Sequence, residues 1–197
     1  MWSQKERNMR TVNIGLAALA VMLTLGQQPA AQEPVPIVFD FEADAAGSPP
    51  PNWLFNAPSQ SGARVEVSGA DHHSGAQALL ITHGRATETS PATLIRLFDA
   101  TPYRGKRVRY RFFAKVEDAA VLHLWLRVDL PGAPGAGFGQ GFFDNMADRP
   151  ITGREWREYV IVGDVDKDAS RIVLGALAMG NGRSWIDSGA LEIVGDA

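Results

Sequence analysis

Apolar and polar residues alternate strictly in two neighbouring segments, and this alternation constrains the fold more than any other feature. In residues 106–117 (KRVRYRFFAKVE) the even positions from Val108 to Val116 are apolar, and in residues 121–130 (VLHLWLRVDL) the even positions are apolar again. Neighbouring residues of a β-strand point to opposite faces. The pattern therefore predicts two strands, each with one face in a core and the other directed outward.

The three residues between these segments, 118–120, predict a turn that joins them into an antiparallel hairpin. In that register Phe113 lies beside Trp125, and Arg109 lies beside Asp129, on the face away from the core. Such aromatic and opposite-charge pairs stabilise neighbouring strands by about 0.2–1 kcal/mol each.

Short runs of strand character, separated by Gly, Pro and Asp, fill most of the chain, and no stretch of helical period and length occurs after residue 26. This pattern predicts an all-β protein, an antiparallel β-sandwich of the jelly-roll kind. The runs are residues 36–42, 63–68, 77–83, 92–98, 106–117, 121–130, 156–165, 170–179 and 184–194.

The N-terminal segment has the layout of a secretory signal peptide. Basic residues precede an uncharged, mostly apolar run, Thr11–Gly26, and Ala30 and Ala31 follow it. The run is shorter than the roughly 20 residues that span a bilayer. We therefore expect a signal peptide over 1–31, a proline-rich linker over 32–36, a folded domain over 37–197, and a periplasmic or secreted location with no membrane span after cleavage.

Charge and cysteine content exclude several classes of function. Residues 32–197 carry 16 basic and 21 acidic side chains, a net charge of −5, which argues against nucleic acid as a partner. The chain has no cysteine, so it contains neither a disulfide framework nor a thiolate nucleophile.

Six stretches of the chain, in this order, resemble the galactose-binding-like jelly-roll domains. They are VFDFEAD…G…PPNW, HHSGAQALLI, YRGKRVRYRFFAKVED, LWLRVD, FDNMADRPITGREWREYVIVGDV and SWIDSGALEIV. Within that group they are most similar to a domain found alone or in front of secreted bacterial peptidases and esterases, and more distantly to carbohydrate-binding modules. The resemblance spans about residues 35–194 and implies the fold, whereas one fold can serve many functions.

The resemblance also implies a site for a structural calcium ion between the first and last strands. The matching residues are Glu42, Asp44 and Asp187, with backbone carbonyls near Ser74. Calcium takes six to eight oxygen ligands, which a few carboxylates and carbonyls could supply. Relatives carry a second Asp where this chain has Ser188, and the alternative is that these acids only shape turns. No other cofactor is expected.

The outward face of the predicted hairpin is the candidate ligand site. It combines aromatic side chains, on which a sugar ring can stack, with Arg and Asp side chains that bind hydroxyl or carboxylate groups. The alternative is a solvated basic face with one aromatic residue covered by a loop. The candidate residues are Arg109, Arg111, Phe113, His123, Trp125, Arg127 and Asp129.

The segment FFDNMADRPITG (142–153) allows three interpretations. Asp and Asn shape turns by bonding local backbone, and Arg149 precedes a proline that favours extended backbone. A hydrogen-bonded corner between two sheets is favoured. A ligand-contacting loop, with Asn145 as a contact, is the second interpretation, and a catalytic loop is the third.

No motif in the sequence indicates catalysis. The glycines at 137, 139 and 141 give GxGxG rather than the dinucleotide spacing, and no GxSxG elbow occurs. We therefore predict an exported, non-catalytic module that binds carbohydrate. The alternative is an accessory domain that contacts another envelope protein, and a hydrolase is the remote alternative.

Overall fold

The computed structural model describes residues 35–87, 89–132 and 137–197. The predicted signal peptide and most of the predicted linker lie outside these ranges. The described residues form nine β-strands and one 3-10 helix, Thr101–Tyr103, and none of their helices is long and apolar enough to cross a membrane. The strands are β1 (Ile37–Phe39), β2 (Leu54–Asn56), β3 (Arg64–Ser68), β4 (Ala78–Ala86), β5 (Ala92–Asp99), β6 (Lys106–Leu130), β7 (Gly139–Asp144), β8 (Arg157–Asp164) and β9 (Arg171–Asp196).

Two strands of unusual length, β6 and β9, form an antiparallel ladder that runs from Lys106 opposite Asp196 to Asp129 opposite Arg171. The ladder bends in the middle, where Asp118 has a φ of 61° opposite Gly182. A side chain at Gly180 would place its Cβ 2.1 Å from the carbonyl oxygen of Ala119. The bend therefore requires glycine at this close approach of two backbones.

The predicted hairpin is wrong. Residues 118–120 do not reverse the chain but carry β6 across the bend, so its two halves never pair. Phe113 instead lies opposite Asp187 of β9, and Trp125 lies opposite Gly175. Alternation identifies which face of a strand is buried, but it does not identify the partner strand.

The bent ladder makes two layers that stack on each other. The first layer holds β8, β3, β4, β1 and the halves 106–117 of β6 and 183–196 of β9. The second layer holds β7, β5, β2 and the other halves of β6 and β9. The Tyr110 hydroxyl, from the first layer, donates to the carbonyl of Gly175 in the second at 3.0 Å. The all-β jelly-roll sandwich expected from the sequence is thus confirmed.

The even positions of β6 line the core on both sides of the bend, as the alternation predicts. Val108, Tyr110 and Phe112 from one half and Leu124 and Leu126 from the other are all fully buried. The odd positions point away from the core in both layers. Because the layers stack through their inner faces, the two outer faces lie on opposite sides of the sandwich.

The bond between the layers can be tested with Tyr110→Phe. The substitution removes the hydroxyl and leaves the buried Gly175 carbonyl without that donor, so we expect the free energy of unfolding to fall by about 1–2 kcal/mol in urea denaturation. Tyr159→Phe is the matched control, because no hydrogen bond to the Tyr159 hydroxyl is found among the described residues. Equal stability of the two variants would contradict this packing.

Candidate functional site

The residues predicted to share one binding face lie on two opposite outer faces. The bend in β6 separates them, because the odd positions before and after it belong to different layers. The outer face of the first layer carries Arg109, Arg111 and Phe113. The outer face of the second layer carries His123, Trp125, Arg127 and Asp129.

On the outer face of the first layer, the three arginines of β6 are each paired with an acid on a neighbouring strand. Arg109 and Arg111 both donate through Nε to the same oxygen of Glu192, at 2.9 and 3.2 Å. The hydrogen bond from Arg109, above all, lowers the pKa of the Glu192 carboxyl. Arg107 forms a two-bond pair with Asp164 at 2.6 and 2.9 Å. The predicted basic face is therefore electrically compensated.

The aromatic residue of this face, Phe113, is covered by a histidine. The ring of His73 stacks on it with 3.6 Å between centroids and 13° between planes. Next to this stack Lys115 pairs with Asp71, and Trp156 donates its indole N–H to the same carboxylate at 3.0 Å. Burial alone would raise the pKa of Asp71, but the hydrogen bonds from Lys115 and Trp156 outweigh it and lower the pKa. These contacts close this part of the surface.

Trp125 does not present an open ring on the outer face of the second layer, because only 7% of it is exposed. Its strand neighbour is Gly175, and a Cβ on that glycine would approach the indole nitrogen to 3.1 Å. The missing side chain of Gly175 thus lets the indole lie against the sheet. The expectation of a solvent-exposed tryptophan here is wrong.

Arg127, Asp129 and Arg171 form the charged centre of the second outer face. The carboxylate of Asp129, 2% exposed, accepts from Arg127 Nε at 2.6 Å and from Arg171 Nη2 at 2.6 Å. One buried acid therefore holds two guanidinium groups. The side chains of Arg127 and Arg171 remain 37% and 28% exposed, so both can donate to a ligand.

Exposed aromatic rings lie beside this centre. Phe143 of β7, opposite Arg127 of β6, is 46% exposed. Phe138 is 59% exposed, and its ring centroid lies 4.0 Å from the Arg171 guanidinium. Leu97, Asp99, Phe138, Ser170 and Arg171 line a shallow cavity of about 370 Å³.

Sequence analysis missed Phe138, Phe143 and Arg171. A signal for Phe143 was present, because the adjacent residues Phe142 and Phe143 of a strand must point to opposite faces. Phe142 packs against the core, which leaves its neighbour outside. The position of Arg171 beside Asp129 depends on the pairing of β6 with β9. The predicted hairpin paired the two halves of β6 with each other instead.

The segment after β7 is a hydrogen-bonded corner that leads from β7 in the second layer to β8 in the first. The Asp144 carboxylate accepts from the backbone of Met146 at 2.8 Å and pairs with Arg149. The carbonyl oxygen of the Asn145 side chain accepts from the backbone of Ala147 at 3.2 Å. The favoured structural interpretation agrees with this geometry, and Asn145 serves the local turn.

Two of the three acids predicted to bind calcium accept hydrogen bonds from the backbone. Glu42 accepts from the backbone of Ala76 at 3.0 Å, and Asp187 accepts from those of His73 and Ser74 at 2.9 Å each. Asp44 lines a pocket at another point. Within the described ranges, no group of three or more His, Cys, Asp or Glu side chains is arranged to hold a metal ion. A structural calcium ion therefore stays a prediction, which substitution of Asp187 can test.

Comparisons with known proteins agree with this architecture. No family model matches the chain. Its fold is similar to the CBM22-1 xylan-binding domain from Paenibacillus barcinonensis Xyn10C, with 16% identity, a TM-score of 0.52, and coverage of 82% of this chain and 95% of that one. It is also similar to the C-terminal family 22 carbohydrate-binding module of Clostridium thermocellum Xyn10B, with 15% identity, a TM-score of 0.53, and coverage of 75% and 88%.

The protein therefore has a jelly-roll fold similar to that of these carbohydrate-binding modules. In sequence, it is 38% identical over 110 residues to the uncharacterized HTH-type transcriptional regulator YbfP of Bacillus subtilis (strain 168). That match takes in 54% of this chain and 35% of YbfP, so the chain spans about a third of that relative's length.

Asp187→Ala tests whether this carboxylate supports backbone or metal. The variant leaves the N–H groups of His73, Ser74 and Ser188 without their charged acceptor, so we expect a loss of at least about 2–3 kcal/mol in the free energy of unfolding. Asp148→Ala, at an exposed acid, is the control.

Both variants are also measured with a chelator. If the chelator destabilises the wild type and Asp187→Ala abolishes that response, the calcium hypothesis is supported. A chelator without effect, together with a destabilised Asp187→Ala, assigns the carboxylate to the backbone alone. An Asp187→Ala variant as stable as the wild type contradicts both roles.

Proposed function

We propose that the protein is an exported, non-catalytic module that binds polysaccharide on the outer face of its second layer. The observation that carries the proposal is the exposed ring of Phe143 beside the arginine pair held by Asp129. The fold likeness to xylan-binding modules supports the choice of carbohydrate. At 16% identity it supports no individual residue.

Sugar recognition combines an apolar surface with planar hydrogen-bonding groups. The C–H face of a sugar ring can pack on Phe143, while its hydroxyl groups accept from Arg127 and Arg171. Asp129 is enclosed by both guanidinium groups, so its role is to orient them. The guanidinium donors favour hydroxyl-rich ligands over apolar ones.

The opposite outer face is less suited to this role. There Phe113 lies under His73, and the arginines are matched by Glu192 and Asp164. A ligand would have to displace these contacts before it could bind. The two faces thus differ in their aromatic rings, because Phe113 is covered by His73 whereas Phe143 is exposed, although both faces are rich in arginine.

The export part of the proposal has separate support. Basic residues, the uncharged run Thr11–Gly26 and small residues follow one another at the N-terminus. A polysaccharide ligand outside the cytoplasm suits a periplasmic or secreted location. An envelope protein as partner remains the alternative.

The test of this function is isothermal titration of soluble xylan and of a panel of other soluble polysaccharides. For a polysaccharide that the wild type binds, Phe143→Ala should lower the affinity about tenfold, because truncated aromatic anchors cost on the order of 1–3 kcal/mol. Phe113→Ala, on the opposite face, is the matched control and should bind normally. Trp125→Ala should lower the stability of the fold rather than act on ligand affinity directly, since the indole is buried.

Two results would reject the proposed site. One is equal loss of affinity in Phe113→Ala and Phe143→Ala. The other is a folded wild type that binds no polysaccharide of the panel, which would favour the envelope-protein alternative.

A further inference from the structure

A small pocket lies between the two layers, away from both outer faces. Its volume is about 210 Å³. Residues from β1 and the loop after it form one side, Asn52 and Trp53 form another, and Arg96 enters from β5. We call it the Arg96 pocket. Its principal lining residues are Phe39, Phe41, Asp44, Asn52, Trp53 and Arg96.

Arg96 is a half-buried cation that lines this pocket. It occupies an inward position of β5, between the core residue Leu94 and the core-packed Phe98. Its guanidinium lies 5.3 Å from the ring centroid of Phe39 and 5.5 Å from that of Trp53. Among the described residues, no hydrogen bond or ion pair to this guanidinium is found.

Among the described residues, the fully buried polar atoms without a partner do not include the guanidinium nitrogens of Arg96, so these nitrogens reach the open space of the pocket. The stacked rings satisfy the charge of Arg96 but not its N–H donors. Burial, opposed by the charge of Asp44, lowers the pKa of Arg96. The N–H donors of Arg96 are therefore available to a ligand that accepts hydrogen bonds.

Asp44 faces the same pocket without reaching Arg96. The two side chains interact through their charges, but their atoms are not within the 4.0 Å of an ion pair. Burial raises the pKa of the Asp44 carboxyl, and Arg96 opposes that rise. A donor group and an acceptor group thus confront each other across an open gap.

The backbone around the pocket is held in an unfavourable conformation at two positions. Phe41 and Asn52 have φ angles of 60° and 63°. Asn adopts this region more often than most residues other than glycine, whereas a bulky residue such as Phe41 is a true outlier there. Strain of this kind concentrates at functional sites, where the surrounding structure imposes it.

The chemistry of the walls indicates the class of ligand. An anion would meet Asp40 and Asp44, and a cation would meet Arg96, so the ligand should carry no net charge. A hydroxyl group both accepts and donates, so one hydroxyl-rich ligand satisfies Arg96 and Asp44 together. The aromatic walls suit the C–H face of a sugar ring, and the volume lies below that of pockets for drug-sized ligands.

We infer that the Arg96 pocket is a second ligand site, which binds a single neutral sugar unit or a polyol of similar size. It is separate from the outer face of the second layer. It does not depend on the function proposed for that face.

The experiment is an NMR titration of the folded protein with D-xylose, D-galactose, D-glucose and glycerol. Saturable shifts are expected for the Asn52 amide and the Trp53 indole with at least one of these probes. Arg96→Met removes the donors while it keeps an extended apolar side chain, and it should weaken that binding at least tenfold. Asn52→Gly relieves the positive φ and removes the side chain, so it stays folded and should also weaken binding.

Controls separate this site from the outer face. Phe143→Ala should leave the titration of the Arg96 pocket unchanged, and Arg96→Met should leave polysaccharide binding on the outer face unchanged. Glycine, a zwitterion, is titrated in parallel. The proposal is overturned if no sugar or glycerol shifts these signals, if glycine alone does, or if Asn52→Gly binds the probe as well as the wild type.

Discussion

The ladder between β6 and β9 is the interaction on which the rest of the fold depends, because both strands belong to both layers. Every other strand of the described chain pairs, directly or through one neighbour, with this ladder. The bend is sterically possible because residues 180 and 182 are glycines. They approach the backbone carbonyls of Ala119 and Glu117 so closely that a Cβ would clash. Once the bend is set, the alternation in β6 fixes which side chains enter the core and which form the two outer faces.

The two outer faces show how similar compositions give different surfaces. In the first layer, acids and bases alternate across strands, so Arg109 and Arg111 share Glu192. In the second, one buried Asp129 serves Arg127 and Arg171. Exposed ion pairs such as Arg107–Asp164 contribute little to stability, whereas the carboxylate of Asp129 is buried between its two partners. The second places Arg127 opposite the exposed ring of Phe143, whereas in the first the ring of Phe113 is covered by His73.

The fold class and the inward face of β6 could be predicted from the sequence because they depend on local periodicity. The even positions from Val108 to Val116 and from Leu122 to Val128 are in the core as expected. The partner of each strand could not be predicted from the sequence. Asp118 suits both a tight turn and a bend, and the choice between them depends on glycines more than sixty residues later in the chain.

The candidate site was only partly predictable for the same reason. Arg127 and Asp129 were identified from their own strand, whereas Arg171 joins them through the β9 register. Trp125 was expected to be open, yet its exposure depends on a glycine in the neighbouring strand. The Arg96 pocket gave no sequence signal, since a lone arginine among apolar residues of a strand does not reveal which rings will surround it.

Side chains, rather than the likeness in backbone, carry the functional argument, because one fold supports many functions. The two proposed sites differ in what part of a glycan they can accept. An exposed ring on a sheet face, such as Phe143, has no wall that stops a chain from continuing past it, so it suits internal units. The Arg96 pocket is bounded by rings on several sides and is small, so it suits a unit at a chain end or a free sugar. Long polysaccharides offer many internal units for each end, and short oligosaccharides offer few. We therefore expect long polysaccharides to bind mainly on the outer face of the second layer and short oligosaccharides to bind mainly in the Arg96 pocket.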